Sequence, residues 1–238
     1  MNLKNNTNQH KTVMKKIFTA VLALTMFSLT AQQAMTVKSK ITTEGLPAEY
    51  AAYGEMDLVT YISGDNFRND MSSMMMNNSI VYKGNDVTSL SESMGNKFGY
   101  KTTLTEMEKE KKTTKKPKLE YTAEKKTIAG YECTKVLAKI AGKDGKENVI
   151  VFWVTEALKV DSKHRKGNDN EMDLSELKGY PLGMEMTQAA NGMEMKIIMM
   201  ATEVTVGAVD PTVFDISTEG YNMMSYTEFK NMQKNKGN

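Results

Sequence analysis

Apolar and polar residues alternate one by one through most of this chain, and sustained helical spacing is nearly absent. Successive side chains of a strand point to opposite faces, so such alternation predicts sheets with one covered face. Met35 to Thr43 reads as the first strand, and Leu46 to Tyr53 as a short helix with Pro47 in its first turn. A meander follows over Glu55 to Ile62, Asn66 to Met76, Ser79 to Lys83, Val87 to Glu92 and Phe98 to Thr105. The breaks between these runs are Ser63-Gly64-Asp65, Asn77-Asn78, Gly84-Asn85-Asp86 and Gly95-Asn96-Lys97. Such residues tolerate positive φ or bond to their own backbone, as turns require.

The lysine- and glutamate-rich run Met107 to Lys118 reads as a solvated loop or hairpin tip. Strands resume at Leu119 to Glu124, Cys133 to Ile140 and Asn148 to Thr155, with Lys143-Asp144-Gly145 turning the last pair. Val149 to Val154 is apolar on both faces, which predicts a central strand covered on each side. Val160 to Asn170 reads as a charged loop. A short helix is expected over Glu171 to Lys178, capped by Asn170 and stopped by Gly179. Two more strands flank Asn191-Gly192, the second running towards Val206. Near the C-terminus, Ser225 and Glu228 fit a capping box, with Met224 and Phe229 as its hydrophobic staple. About a dozen antiparallel strands with a few short helices predict an α+β fold on one large curved sheet. Such a sheet closes, or helices and loops fill its concave side.

Residues 183–200 hold six of the 21 methionines and write Gly-Met-Glu-Met twice. Asn191-Gly192 is a typical two-residue hairpin turn. With it as the turn, Ala190 faces Met193, Gln188 faces Met195, Met186 faces Ile197 and Met184 faces Met199. One face is then almost wholly apolar, while Glu185, Thr187, Glu194 and Lys196 share the other. A slip of one residue would bury those charges, so the register is well determined. Met71, Met74, Met75 and Met76 form a second cluster.

Thioethers suit Cu(I), but such sites usually recruit histidine or cysteine as well. Beyond the leader the chain has only His164, within the basic run Ser162 to Lys166, and Cys133. Methionine more often fills irregular apolar space or lines surfaces that accept varied apolar partners. Beyond the leader it outnumbers leucine about two to one, which leans towards an adaptable cavity, with ordinary core filling as the other reading.

Lys15 and Lys16 precede an apolar run from Ile17 to Phe27, then the small residues Ser28, Thr30 and Ala31. That is the layout of a signal peptide over residues 1–31, leaving 32–238 as a single domain. The apolar run is too short to span a bilayer comfortably, and the cut has no cysteine for lipid attachment. The leader takes four lysines and no acid, so 27 basic residues remain against 29 acidic ones. That balance favours neither nucleic acid nor an anionic membrane. A lone cysteine excludes an internal disulfide, and Cys133 reads as a small buried hydrophobe. There is no His-Glu-x-x-His, Cys-x-x-Cys, Walker or dinucleotide-binding glycine pattern, and no carboxylate pair stands out as acid and base. Catalysis and cofactors are not expected.

Several ordered stretches resemble a family of exported Bacteroidetes proteins that carry a domain of unknown function. They are Ile62 to Arg68, Ile80-Val81-Tyr82, Gly130 to Lys135, Val151 to Thr155, Gly179 to Leu182, Asp210 to Asp215, and Gly220-Tyr221. That family is distantly similar to the periplasmic lipoprotein carriers LolA and LolB. The resemblance implies a half-barrel whose concave side is partly closed by helices, and in the carriers that hollow shelters acyl chains. The chain is therefore expected to be a periplasmic or secreted, non-enzymatic protein that binds an apolar small molecule or a lipoprotein acyl chain. Met184, Met186, Met193, Met195, Ile197 and Met199 would form the wall, with Trp153 nearby. The rivals are a soft-metal binder using the same sulfurs, and an envelope-assembly protein with a filled core.

Overall fold

Twelve strands pair into one sheet in the computed structural model, which describes residues 33–109, 116–142, 147–160, 173–190 and 193–236. They are β1 (Met35–Glu44), β2 (Met56–Ser63), β3 (Asn66–Ser73), β4 (Met76–Lys83), β5 (Asp86–Ser93) and β6 (Asn96–Thr103). β7 (Lys118–Ile128), β8 (Tyr131–Ala141), β9 (Glu147–Thr155), β10 (Tyr180–Ala190), β11 (Met193–Val206) and β12 (Asn222–Ser225) complete the set. Their spatial order is β12-β6-β5-β4-β3-β2-β1-β11-β10-β9-β8-β7. Every pair is antiparallel except β12 with β6. Pairing of β1 with β11 joins the meanders β1–β6 and β7–β11 into one surface.

The sheet is open, with β12 and β7 as its edges, and it coils enough that β7 touches β11 without pairing to it. It is a half-barrel. Gly183 permits that coil: a Cβ there would stand 2.8 Å from Met200 Sδ and about as close to the Trp153 and Ile128 side chains. The exposed edge β7 carries lysines and glutamates and a bulge between Tyr121 and Lys125, features that discourage pairing with another chain.

Two α-helices lie on one face of the sheet: α1 (Leu104–Lys109) and α2 (Tyr226–Lys236). The capping box at α2 forms as the sequence predicts, with Ser225 N donating to Glu228 Oε2 at 2.8 Å and Glu228 N to Ser225 Oγ at 3.2 Å. Met224 and Phe229 both pack against the cluster beneath it.

Three expectations are corrected. The β3–β4 turn lies at Met74 and Met75, not at Asn77-Asn78, because Ser73 Oγ accepts from the backbone N–H groups of Met75 and Met76. Asn78 instead uses its side chain across the sheet, accepting from Ser91 Oγ at 2.6 Å. The expected loop from Met107 begins inside α1, which starts at Leu104 and buries Met107. The short helix expected up to Lys178 is not formed over the described residues 173–178. That segment is a turn, held by Leu177 N to Leu174 O and Ser175 N to Asp173 Oδ1. Gly179 then enters β10 at φ +82, where a Cβ would collide with Thr155 O. Finally, β12 has no sequence signal of its own and forms by pairing with β6. The expected turns at 143–145 and 191–192, the charged loop beyond 160 and the leader lie outside the described residues.

Candidate functional site

β10 and β11 pair in the predicted register: Ala190 with Met193, Gln188 with Met195, Met186 with Ile197 and Met184 with Met199. Following the ladder outward extends that face on both sides. Met199 pairs with Ile41 of β1, Ile41 with Met56 of β2, and Met184 with Phe152 of β9. One row therefore crosses the sheet as Phe152, Met184, Met199, Ile41 and Met56. Alternation places Met186, Met195 and Ile197 on the same face. Leu58 on β2 pairs with Met71 on β3, and Met76 on β4 continues the surface.

This is also the helix-bearing face, since Tyr100 on it stacks against Tyr226 and Phe229 of α2, at 5.2 and 4.5 Å between ring centroids. Three covers close parts of it. α1 and α2 bury Ile80, Val87 and Tyr100. Leu158 and Val160 pack with Met35, Val37, Ile62 and Leu182. Leu174 and Leu177 pack with Val136, Phe152, Val154 and Met184. The last cover is pinned by Lys178 N, which donates to Tyr121 Oη at 2.7 Å. Between these covers, Ile41, Met56, Leu58, Met71, Met76, Met184, Met186, Met195, Ile197 and Met199 are only half-buried. A hollow of about 370 Å³ lies across β1 to β3 at the β2 end of the row, where Lys40, Glu55, Asp57 and Ser72 of the opposite side line it together with Ile41 and Met56. The side chain of Met193 lies outside the described residues.

Trp153 stands elsewhere. It pairs with Gly183, one residue out of phase with Met184, so it belongs to the opposite face. Phe152 takes the position on the methionine face. Trp153 is 5% exposed, and its Nε1 donates to Glu185 Oε1 at 2.9 Å. Glu185 Oε2 meets Lys196 Nζ at 2.8 Å, while Lys126 and Lys135 lie over the indole at 5.5 and 5.7 Å. The Lys196 and Trp153 hydrogen bonds hold the Glu185 carboxyl below the usual glutamate range. Trp153 also joins the buried cluster of Met35, Leu158, Val160 and Leu182. Cys133 is fully buried beside Trp153, and burial pushes its thiol above the ordinary value.

The opposite face carries a second arrangement. Arg68 Nε grips both oxygens of Asp70, and its Nη1 donates to Val213 O at 2.6 Å. Ser79 Oγ adds a bond to Asp70, and Lys83 pairs with Asp215. These contacts strap the 3₁₀ turn Pro211–Phe214 against β3 and β4 and bury Phe214. A hollow of about 480 Å³ lies between that strap and β5. Among the described residues, no group of three His, Cys, Asp or Glu side chains could hold a metal ion. No helix among them is long and apolar enough to cross a membrane.

Sequence reasoning found the hairpin's share of the row and missed Ile41, Met56, Leu58, Met71 and Met76 as its continuation. The alternation on β1 to β4 signalled one-sided faces. Which faces join depends on the β1–β11 pairing, which links residues far apart in the chain.

No protein-family model and no curated protein matches the chain. Among solved structures it is similar to PNGF-II, at 18% identity over 84% of this chain and 32% of that one, TM-score 0.44. It is similar to an uncharacterized conserved protein from Thermus thermophilus, at 8% identity over 87% and 99% of the two chains, TM-score 0.49. It is also similar to a LolA superfamily protein from Nitrosomonas europaea, at 10% identity over 77% and 90%, TM-score 0.30. The chain spans about a third of the length of PNGF-II.

Proposed function

We propose that the protein is an exported, non-catalytic carrier-like protein that holds an apolar ligand, a lipid or acyl chain, along the methionine row. The observation that carries this reading is a continuous half-buried apolar surface from β10 to β4, left open between three covers. Six strands at about 4.8 Å spacing make a track roughly 24 Å long, a good fit to an extended acyl chain. Flexible thioethers suit a guest of variable shape. Each CH₂ moved from water onto such a surface contributes roughly 0.8 kcal/mol, so a long chain binds without any polar contact. The signal-peptide layout of residues 1–31 supports an exported location, and the resemblance to the lipoprotein carriers supports a lipoprotein acyl chain as the guest.

Native mass spectrometry after gentle purification tests this. A co-purified lipid supports the proposal; bound copper, or a bare chain that also ignores a fluorescent acyl probe, overturns it. Met199→Glu should weaken the probe at least about tenfold, because it sets an unpaired charge in the middle of the row.

A further inference from the structure

The helix-bearing face has a second row beside the methionines, and its chemistry restricts the ligand's head. On β1 to β5 the positions two residues along from the apolar row are Ser39, Thr60, Asn69, Asn78, and Ser89 with Ser91. Leu58 to Thr60, Met71 to Asn69 and Met76 to Asn78 are each steps of roughly 7 Å along a strand. Ser39 and Thr60 are each only 6% exposed, while Asn69, Asn78, Ser89 and Ser91 are half-buried.

The polar groups on this row are organised in pairs. Thr60 Oγ1 donates to Asn69 Oδ1 at 2.6 Å, and Ser91 Oγ donates to Asn78 Oδ1 at 2.6 Å. With each amide oxygen engaged by a hydroxyl, what the two asparagines offer a guest is their NH₂ donors. An ester carbonyl, an amide or a hydroxyl accepts from such donors without carrying charge.

From β1 to β6 the strand positions of this face also lack charge. By the pairing register, its strand residues run from Met35 to Thr43 on β1, Met56 to Ile62 on β2, Phe67 to Ser73 on β3, Met76 to Tyr82 on β4, Val87 to Ser93 on β5 and Asn96 to Thr102 on β6. Taken alternately, none of these is Asp, Glu, Lys or Arg. The neighbouring positions on β10 and β11 are Met184, Met186, Gln188, Met195, Ile197, Met199 and Ala201, again uncharged. The charges of these strands sit on the other face, as Lys38 with Glu203, Lys40 with Asp57, Arg68 with Asp70, and Glu185 with Lys196. Glu106 reaches the helix-bearing face at Thr102, on β6 and away from the asparagines.

We propose that the ligand is a neutral acyl lipid, a glyceride-type ester or amide, whose uncharged head lies on the Thr60–Asn69 and Asn78–Ser91 pairs. The inference rests on the apolar-ligand reading above and adds the head group to it. A carboxylate or phosphate set on this row would lose its hydration and meet no cation among the strand residues of β1 to β6, β10 and β11 on this face, a loss that hydroxyls and amides only partly offset.

The test uses the full chain and guests that share one oleoyl chain, competed against a fluorescent acyl probe at pH 8, each below its aggregation threshold. Monooleoylglycerol and oleamide should displace the probe at concentrations at least about tenfold lower than oleate or oleoyl lysophosphatidate. Oleate should approach the neutral pair as acidification protonates it. Asn78→Asp keeps an acceptor for Ser91 Oγ but removes the NH₂ and adds charge, and should weaken monooleoylglycerol about tenfold. Equal or tighter binding of the two anions overturns the head-group assignment while leaving the acyl track standing. If the probe itself does not bind, the apolar-ligand reading fails and takes this inference with it.

Discussion

Met35 and Met199 lie on the same face of neighbouring strands, yet they have opposite surroundings. Met35 is fully buried under Leu158 and Val160, where Gln33 N donates to Lys159 O at 3.2 Å and Lys159 N to Gln33 Oε1 at 3.0 Å. Met199, opposite Ile41 and roughly 20 Å further along β1, is half-buried with none of the three covers over it. The residue type and the strand face are the same. What differs is a covering segment contributed from elsewhere in the chain. Methionine content alone therefore says nothing about whether a face is core or cavity, and the covers decide it.

The largest expected effect tests the closed end. Met35→Ala should cost about 2–5 kcal/mol in urea unfolding, since the space it leaves is enclosed on every side. A cost below about 1 kcal/mol would mean that this end is not sealed, and the contrast would collapse. Ser225→Ala probes another cover, because it removes the cap that starts α2 above Tyr100. A loss of about 1 kcal/mol is expected, with enhanced amide exchange in Tyr226–Lys236. A variant as stable as the parent would show that tertiary packing alone holds that helix.

Glu185→Gln examines the other side of the same hairpin, and about 1 kcal/mol is expected from weakening its bonds to Trp153 and Lys196. The pH dependence has a definite sign. Glu185 is held below its ordinary pKa in the folded chain, chiefly by Lys196 and then by Trp153. Its contribution is complete above the ordinary glutamate value near 4.5 and is lost as pH falls below that through the folded value. Stability curves of parent and Glu185→Gln should converge on acidification, and curves that stay parallel would remove the ion pair from the account. The smallest effect belongs to the open row: Met199→Ala should cost about 1 kcal/mol or less, because the side chain already meets solvent. A loss matching that of Met35→Ala would make the row ordinary core and end the case for a track.

Much of the hairpin was legible from its own residues. The Asn191-Gly192 dipeptide and the penalty for burying Glu185, Glu194 and Lys196 leave a single acceptable register, and that register forms. The capping box at Ser225 and Glu228 was readable for the same reason, since its partners are three residues apart. Trp153 was misplaced because Val149 to Val154 is apolar throughout, so no polar alternation tells one face from the other. Pairing with β10 settles it, putting Phe152 beside Met184 and Trp153 beside Gly183. The Asn77-Asn78 turn failed where a turn-forming side chain found a better partner in Ser91.

Strand content, the two-faced character of each strand and the methionine register all depend on neighbours within a few residues, and local chemistry sets them. Long-range packing alone puts β1 against β11, which fuses two local faces into one surface and lays an uncharged polar row beside it. It also decided which parts of that face receive a cover. Those outcomes depend on contacts between segments more than a hundred residues apart, such as Lys38 with Glu203 and Gln33 with Lys159, where no local periodicity carries the information.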